Sequence, residues 1–255
     1  MSTPPAFIQL AAHPLRWSLL AELGESDYRV RELAARIDEP QNLVSYHLRL
    51  LRDGGLVTAT RSSFDGRESY YRLDLDRCAG ALNDSGRALH PALGPIATPP
   101  TPPVAHTAVR DTTVLFVCTG NTARSPIAEA LLRHRTAGRV RAASAGSRPG
   151  HRLHVDAIRV LREAFGIDIT GQRPRSLDAL TDREFDRVIT LCDRAREVCP
   201  VFPHRPRRAH WSIPDPARID DGGYPAFQRI AADIDARIRY LLAAMAAHDR
   251  QEPAP

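Results

Sequence analysis

The chain is 255 residues long, 43% hydrophobic and 25% charged, with a net charge of +5, which is a composition typical of a globular protein. It contains no apolar run near the roughly 18 residues that a membrane-spanning helix needs, and its start lacks the pattern of a signal peptide. We therefore expect a cytoplasmic protein whose four cysteines are reactive or metal-binding rather than paired in structural disulfides.

The first ninety residues predict three helices and a hairpin. "FIQLAAHPLRWSLLAEL" has helical spacing of apolar residues and is followed by Gly24, "VRELAARI" predicts a short second helix, and "NLVSYHLRLLRD" predicts a third, closed by Gly54 and Gly55. "LVTATRSSFDGRESYYRLDL" then alternates around Asp65-Gly66, which is a two-residue hairpin signal. This order predicts a mainly α winged helix-turn-helix domain.

These segments resemble the arsenical-resistance-repressor family of dimeric winged-helix regulators over about residues 6–77. The resemblance implies a homodimer that binds a double-stranded DNA operator with its third helix in the major groove. It makes the following residues candidates for DNA contacts: Gln41, Asn42, Ser45, Tyr46 and His47 for bases, and Arg61 and Arg67 for phosphates. The alternative is an amphipathic domain used only for dimerisation or for holding a partner.

The first half lacks the cysteine cluster through which many members of this family sense metals or metalloids. "RVRELAARIDEP", where a cysteine pair would commonly lie, has none, and Cys78 is the only cysteine in residues 1–93.

A proline-rich stretch, "GPIATPPTPPVAHTAV", predicts an extended spacer between two domains. We place a DNA-binding domain at 1–93, the linker at 94–111 and a second domain at 112–250. Residues 1–93 hold 11 Arg against 12 Asp and Glu, whereas residues 94–255 hold 24 against 18. The excess positive charge of the second part suits an anionic substrate.

The second part opens with a short apolar strand, "TTVLFVC", a loop, "TGNTAR", and a helix, "SPIAEALLRHRT". Such a loop points successive N–H groups inward at a helix N-terminus, where a tetrahedral oxyanion binds. Arg124 would clamp two of its oxygens, and the same field would favour the nucleophilic thiolate of Cys118, to which Ser125 donates a hydrogen bond. The predicted oxyanion-binding residues are Thr119, Gly120, Asn121, Thr122, Ala123 and Arg124.

This strand, loop and helix resemble the low-molecular-weight tyrosine phosphatase superfamily, which includes the thioredoxin-coupled arsenate reductases. The resemblance implies an α/β three-layer domain with a small parallel sheet and its site at the carboxyl ends of the strands. It also implies that Asp215, in a D-P motif, is the general acid in both branches. Cys192 and Cys199, in "CDRAREVC", are spaced like the two additional cysteines of the reductases.

Reduction of As(V) to As(III) needs two electrons, which thiols supply by ending as a disulfide. Cys118 would attack arsenate while Asp215 protonates the departing oxygen. Cys192 would then attack the Cys118–arsenic adduct and release arsenite, and Cys199 would exchange with Cys192. We expect arsenate reduction with no bound cofactor, and thioredoxin or another thiol reductant as electron donor.

Other interpretations of the second domain stay open. Cys192 and Cys199 are also compatible with a zinc site completed by His204 and His210, although their six-residue spacing is unlike that of known structural zinc sites. They are compatible as well with two ordinary core cysteines. We predict no bound metal. The runner-up enzyme is a low-molecular-weight tyrosine phosphatase. The runner-up of another class is a regulator whose second domain only senses an oxyanion.

The resemblance to the reductases is incomplete in two places. Ala123 stands where reductases often have a second loop cysteine. Some reductases hold a monovalent cation beside the loop with residues that resemble Asn121, Glu129 and Ser144, and with an aspartate that Arg175 replaces. An arginine there would substitute its own positive charge for the ion.

Overall fold

A computed structural model describes residues 3–90, 93, 112–219 and 223–249. The chain divides into two compact units, a first unit of Met1–Pro102 and a second unit of Pro103–Pro255. The predicted linker, 94–111, lies outside the described residues. Within the described part of the chain, no helix is long and apolar enough to cross a membrane.

The first predicted helix is in fact two helices, α1 (Ala6–Ala11) and α2 (Pro14–Glu25). Pro14 occupies the first position of α2, because its ring prevents a helix from running through that point but is tolerated at a helix start. His13 caps α2 by accepting a hydrogen bond from the Leu15 N–H at Nδ1, 3.2 Å away. Gly24 lies inside α2 rather than ending it.

Helices α3 (Val30–Ile37) and α4 (Gln41–Asp53) follow as predicted and form the helix-turn-helix. The buried face of α4 includes Val44, Leu48 and Leu51, which pack in the core of the first unit. Gly55, at φ +75°, ends α4, and the Leu56 N–H donates back to the Leu51 carbonyl over 3.0 Å. A residue with a left-handed backbone at the end of a helix is usually glycine, which is why this helix end could be predicted from the sequence.

The hairpin consists of β2 (Val57–Arg61) and β3 (Ser69–Leu73), which are antiparallel, with Arg61 opposite Ser69. The connecting loop has seven residues instead of the predicted two. A short strand, β1 (Tyr28–Arg29), adds to the far side of β3, and helix α5 (Leu75–Leu89) follows the hairpin. Neither was predicted, since β1 has only two residues and α5 contains Gly80 and Gly86, which are unfavourable inside a helix.

The second unit contains one parallel sheet with strand order β5-β4-β6-β7. These strands are β4 (Thr113–Cys118), β5 (Arg141–Gly146), β6 (Arg187–Thr190) and β7 (Arg207–His210). The helices are α6 (Arg124–Arg135), α7 (Val155–Phe165), α8 (Asp193–Val198) and α9 (Gly223–Asp249). Strand β4 is buried from Val114 onward because it is an inner strand of a covered parallel sheet. The predicted fold class, a winged helix-turn-helix followed by an α/β domain, is confirmed.

Candidate active site

The loop between β4 and α6 turns its carbonyl groups outward. The N–H groups of a neighbouring segment, residues 147–154, donate to the carbonyls of Cys118, Thr119, Gly120 and Thr122 over 2.8–3.1 Å. These carbonyls therefore have partners away from the loop centre. The Asn121 N–H points to the Cys118 sulfur inside the loop. A loop whose carbonyls are bonded elsewhere and which leads into a helix N-terminus suits an oxyanion.

Cys118 lies at the base of this loop, where its sulfur accepts a hydrogen bond from the Asn121 N–H and contacts the Ser125 hydroxyl. Its Sγ is 3.2 Å from the Asn121 N–H and 3.0 Å from Ser125 Oγ. Asn121 has a left-handed backbone, φ +49°, which turns its N–H toward the sulfur. The predicted contact between Cys118 and Ser125 is thus present in the geometry.

Gly146, at the end of β5, makes the loop conformation sterically possible. A Cβ placed on Gly146 would lie 2.7 Å from the Thr119 carbonyl oxygen and 2.9 Å from the Asn121 nitrogen. Both neighbours are backbone atoms, which cannot swing away as a flexible side chain does. Only glycine allows β5 to approach the loop this closely.

Arg124 begins α6 and is buried, and its guanidinium contacts the segment that carries Asp215. Nη1 donates to the Ile213 carbonyl over 2.9 Å, and Nη2 donates to Asp215 Oδ2 over 3.0 Å. Asp215 Oδ1 in turn caps a 3₁₀ turn, Pro216–Arg218, at the Ala217 N–H. The structure therefore brings the two predicted catalytic residues into direct contact at the loop.

A buried polar network supports Asn121. Its Nδ2 donates to Ser125 Oγ and Ser144 Oγ, each at 2.9 Å, and its Oδ1 accepts from the Arg175 N–H at 2.7 Å. Ser144 Oγ donates to Glu129 Oε2 over 2.6 Å. The same carboxylate oxygen accepts from the guanidinium of Arg175.

This arrangement does not fit a monovalent cation beside the loop. The residues that resemble cation ligands, Asn121, Glu129 and Ser144, are linked to one another and to Arg175. The guanidinium supplies the positive charge that the buried Glu129 carboxylate needs. The expectation that Arg175 substitutes for an ion agrees with these contacts.

Cys192 is buried directly beside the loop. Its Sγ is 3.2 Å from Thr119 Oγ1. Burial raises the pKa of the Cys192 thiol, the charge of Arg124 partly offsets this effect, and the neighbouring Cys118 raises the pKa further. Cys118 and Arg124 are thus close enough to affect the pKa of Cys192.

Cys199 lies at the other end of α8, half-buried against the core of the second unit. Burial raises the pKa of its thiol, and nearby Arg208 lowers it in part. All four cysteines are free thiols in the structure. Cys192 and Cys199 therefore bracket one six-residue helix, and Cys192 contacts the loop through Thr119.

The two histidines considered for a zinc site do not join these cysteines. His210 pairs with Asp193 and Thr190 inside the fold, whereas His204 is exposed and contacts Glu184. Among the described residues, no group of three or more His, Cys, Asp or Glu side chains is arranged to hold a metal ion.

In the first unit, α4 presents part of the predicted DNA-reading set on its surface. Gln41, Asn42 and Tyr46 are exposed, and Ser45 is half-buried with its Oγ donating to the Gln41 carbonyl. On the hairpin, Arg61 and Arg67 are both exposed. These positions suit contacts with a nucleic acid.

His47 does not fit the predicted role of base reader. Its side chain is only 4% exposed and packs against His13, with ring centroids 4.5 Å apart. Burial lowers the pKa of His47, and the charges of His13 and Arg16 add to this effect. His47 lies on the same face of α4 as the core residues Val44 and Leu51, because residues three and four apart share one face of a helix.

The chain matches two family models. The model of low molecular weight phosphotyrosine protein phosphatases matches residues 113–251, more than half of the chain. The chain belongs to this family. The model of bacterial regulatory proteins of the arsR family matches residues 13–59, so the chain is a fusion of a helix-turn-helix unit and a phosphatase-like unit.

Similar proteins over the phosphatase-like unit are named arsenate reductases. One from Brevibacillus brevis is 37% identical over 127 residues, covering 50% of this chain and 91% of that protein. One from Bacillus anthracis is 38% identical over 127 residues with the same coverage. A solved arsenate reductase structure from Archaeoglobus fulgidus is 34% identical, covers 51% of this chain and 98% of its own, and has a TM-score of 0.43. On the identity and coverage of the two sequence relatives, the phosphatase-like unit is of the arsenate-reductase-like kind.

Several supporting residues of the phosphatase-like unit were not found from the sequence. The outward carbonyls depend on residues 147–154, and the contact of Arg124 with the Ile213 carbonyl depends on a backbone atom. Neither leaves a pattern in residue types. Asp193 was missed as well, although an acid directly after Cys192, at the start of a helix, was a visible signal.

Proposed function

We propose that the phosphatase-like unit reduces arsenate to arsenite through Cys118, Cys192 and Cys199. The observation that supports this proposal is the position of Cys192, buried at 3.2 Å from Thr119 of the loop and near enough to Cys118 and Arg124 for both charges to affect its pKa. Phosphoryl transfer to water uses one nucleophile and one acid, and it has no use for a second thiol at this place. Two thiols beside one oxyanion site suit a two-electron reduction.

The reaction begins when the Cys118 thiolate attacks arsenic and an arsenate oxygen leaves as water, with a proton from Asp215. The Cys192 thiolate then attacks Cys118 Sγ. The electron pair of the sulfur–arsenic bond stays on arsenic, which leaves as As(III), and a Cys118–Cys192 disulfide forms. The two electrons gained by arsenic are the two lost by the thiols.

The contact between Arg124 and Asp215 couples oxyanion binding to acid catalysis. A guanidinium has five N–H donors, of which one contacts Ile213 and one contacts Asp215 in the described geometry. An oxyanion that approaches the loop competes with Asp215 for the same charge. Binding of the anion thereby loosens the contact that holds Asp215 and frees its carboxyl group for proton transfer.

Recycling uses Cys199. Its thiolate attacks Cys192 Sγ, releases the Cys118 thiolate and moves the disulfide to the half-buried end of α8. An external dithiol of the thioredoxin type then reduces the Cys192–Cys199 disulfide. This exchange takes the oxidised sulfurs from the buried loop to a position nearer to the surface.

The helix-turn-helix unit is proposed to bind an operator as a dimer. Helix α1 packs against α5, and this pair exposes Ile8, Leu82 and Leu89. Apolar residues exposed on two adjacent helices suit a symmetric contact with a second copy. The exposed Gln41, Asn42 and Tyr46 of α4 would then read bases, with Arg61 and Arg67 contacting phosphates.

The test of the enzymatic proposal compares two activities of one preparation. We expect arsenate-dependent oxidation of NADPH in the presence of thioredoxin and thioredoxin reductase, and little hydrolysis of para-nitrophenyl phosphate. The Cys192→Ser variant should lose the first activity and keep whatever hydrolysis exists. Hydrolysis without arsenate-dependent oxidation would instead establish a phosphatase.

A further inference from the structure

A buried polar cluster ties the start of α8 to the sheet. Asp193, the first residue of α8, has its Oδ1 3.1 Å from His210 Nε2 and accepts a hydrogen bond from Ser212 Oγ over 2.8 Å. On its other side, His210 Nδ1 lies 2.9 Å from Thr190 Oγ1. All four side chains are buried. We refer to Asp193, His210, Ser212 and Thr190 as the Asp193 anchor.

The anchor contains the residue types of a hydrolytic triad but not its arrangement. In such a triad the serine hydroxyl is hydrogen-bonded to the histidine, which takes its proton. Here Ser212 Oγ donates to the carboxylate of Asp193 instead, and the side chains are closed off from substrate. The cluster therefore does not activate a nucleophile, and its effect is to fix the position of Asp193.

Formation of the Cys192–Cys199 disulfide requires α8 to change its conformation, and the Asp193 anchor would have to stay intact during that change. Residues seven apart along a helix are separated by roughly 10 Å, at 1.5 Å per residue. A disulfide needs Cα atoms within about 7 Å of each other. Cys192 precedes α8 and Cys199 follows it, so the helix has to unwind before their sulfurs can meet.

The two ends of α8 are held very differently. At its start, the buried carboxylate of Asp193 has two polar partners, and the preceding Cys192 lies against Thr119. At its end, Val198 is exposed and Cys199 is half-buried. Because a buried charge that loses its partners is costly, unwinding should begin at Val198 and stop at Asp193.

We propose that Asp193 is a positioning residue for the relay, an inference that rests on the proposed arsenate reduction. The anchor keeps Cys192 at the loop while residues 194–199 unwind, so that Cys199 travels to Cys192. In its absence, Cys192 leaves the loop with the unwound segment. Cys192 then lies too far from Cys118 to attack its sulfur, so the Cys118–arsenic adduct persists and arsenite release slows. With an added oxidant such as diamide, the displaced Cys192 thiol is oxidised together with Cys199 instead of with Cys118.

The first measurement is the rate of formation of the Cys118–Cys192 disulfide in a single turnover with arsenate. The full chain carries Cys199→Ser, free thiols are alkylated at set times, and the disulfide is identified by peptide mass. Adding Asp193→Asn, which keeps the shape but loses the charge, should slow this step about tenfold or more, as expected when hydrogen bonds to a charged group are weakened. Affinity for phosphate should stay within about twofold, since the loop residues are untouched. Ser212→Ala, which keeps the pair of His210 and Asp193, should give a smaller effect.

The matched control is Glu197→Gln, which removes the same charge from an exposed position of the same helix. It should react at the wild-type rate. A purely structural role of Asp193 would lower the melting temperature without favouring one disulfide over another. The second measurement therefore oxidises the otherwise unmodified chain with diamide and compares the yields of Cys118–Cys192 and Cys192–Cys199. Asp193→Asn should shift the yield toward Cys192–Cys199.

The outcomes separate the anchor from the reaction. If Asp193→Asn changes neither the rate of Cys118–Cys192 disulfide formation nor the ratio of the two disulfides, Asp193 does not position Cys192. The same conclusion follows if Glu197→Gln slows the reaction as much as Asp193→Asn does. If the chain with intact Asp193 forms no Cys118–Cys192 disulfide with arsenate, the proposed reduction fails. The ratio after diamide still decides the role of Asp193 in that case, because it needs no arsenate.

Discussion

At the scale of single residues, the three thiols of the phosphatase-like unit differ in burial and in partners. Replacing each of them should therefore block the proposed reaction at a different step. Cys118→Ser removes the nucleophile and should abolish all chemistry. Cys199→Ser leaves Cys118 and Cys192 in place and should permit one turnover, after which the protein stalls as a Cys118–Cys192 disulfide. Quenched-flow measurement of arsenite per protein, followed by peptide mapping, checks this. Repeated turnover of Cys199→Ser with thioredoxin would contradict the three-thiol relay.

Asp215 should act through its proton. Asp215→Asn keeps an oxygen that can accept from Arg124 but cannot donate an acidic proton, and general acid catalysis contributes about 10²–10⁴-fold. We expect turnover to fall by that order while affinity for phosphate changes little. The control is Asp178→Asn, an exposed acid of the same unit that also starts a 3₁₀ turn. Near-normal turnover of Asp215→Asn would assign the acid to another residue.

Arg175 should stabilise the loop through its charge. Its side chain is 36% exposed while that of Glu129 is 2% exposed, and Arg133 also contacts Glu129 at 3.2 Å. Arg175→Met should therefore lower the free energy of unfolding by about 1–3 kcal/mol, the cost of leaving a buried acceptor poorly satisfied. It should also weaken oxyanion binding indirectly: the Arg175 guanidinium contacts Glu129 and Ser144, and Ser144 accepts a hydrogen bond from Asn121, whereas the backbone N–H contact of residue 175 with Asn121 remains.

The measurements for Arg175 are urea unfolding and phosphate titration by calorimetry. The exposed neighbour Arg173→Met removes the same charge without touching Glu129 and should leave both unchanged. Wild-type turnover should not depend on whether sodium, potassium or a bulky organic cation is present. A strong potassium requirement would show that Arg175 does not replace an ion.

At the scale of secondary-structure elements, the loop after β4 depends on how closely the end of β5 approaches it. Gly146→Ala would place a Cβ 2.7 Å from the Thr119 carbonyl oxygen, so the loop must move. We expect a large loss of oxyanion affinity and of turnover, measured on protein whose circular dichroism is unchanged. Gly171→Ala in the same unit meets no atom within 4 Å and serves as the control. Normal activity of Gly146→Ala would mean that the loop tolerates displacement.

The sequence predicted those helices and strands whose ends are determined by a short local pattern of residues. The apolar run of β4 and the start of α6 are local features, and so is the glycine that ends α4. The split at Pro14 was missed because the apolar spacing continues across it. The pairing of Arg124 with Asp215 joins residues 91 positions apart, which no local pattern reveals. The Asp193 anchor depends in the same way on the alignment of β6 with β7.

At the scale of the whole molecule, the fusion raises the question of which unit would make DNA binding respond to arsenic. Arsenite is thiophilic and is usually held by two or three thiolates, yet residues 1–93 contain one cysteine, Cys78. Burial and the charge of Asp74 raise the pKa of Cys78 to about 11, so it stays protonated near neutral pH. Cys78 also packs in the core of the first unit, with its Sγ 3.8 Å from the Leu56 carbonyl oxygen. A structural thiol of this kind is a poor arsenite ligand.

Any response of DNA binding to arsenic should therefore require the phosphatase-like unit. The thiols of Cys192 and Cys199 change partners during the proposed relay, so the redox state of this segment can shift the balance between two conformations of the protein. In a gel-shift titration with arsenite and arsenate, the full chain carrying Cys78→Ser should respond like the wild type, and Cys192→Ser should not respond. The fragment 1–93, which contains the core of the first unit, should bind the same DNA and ignore both compounds. Release of that fragment by arsenite would return the sensing role to Cys78.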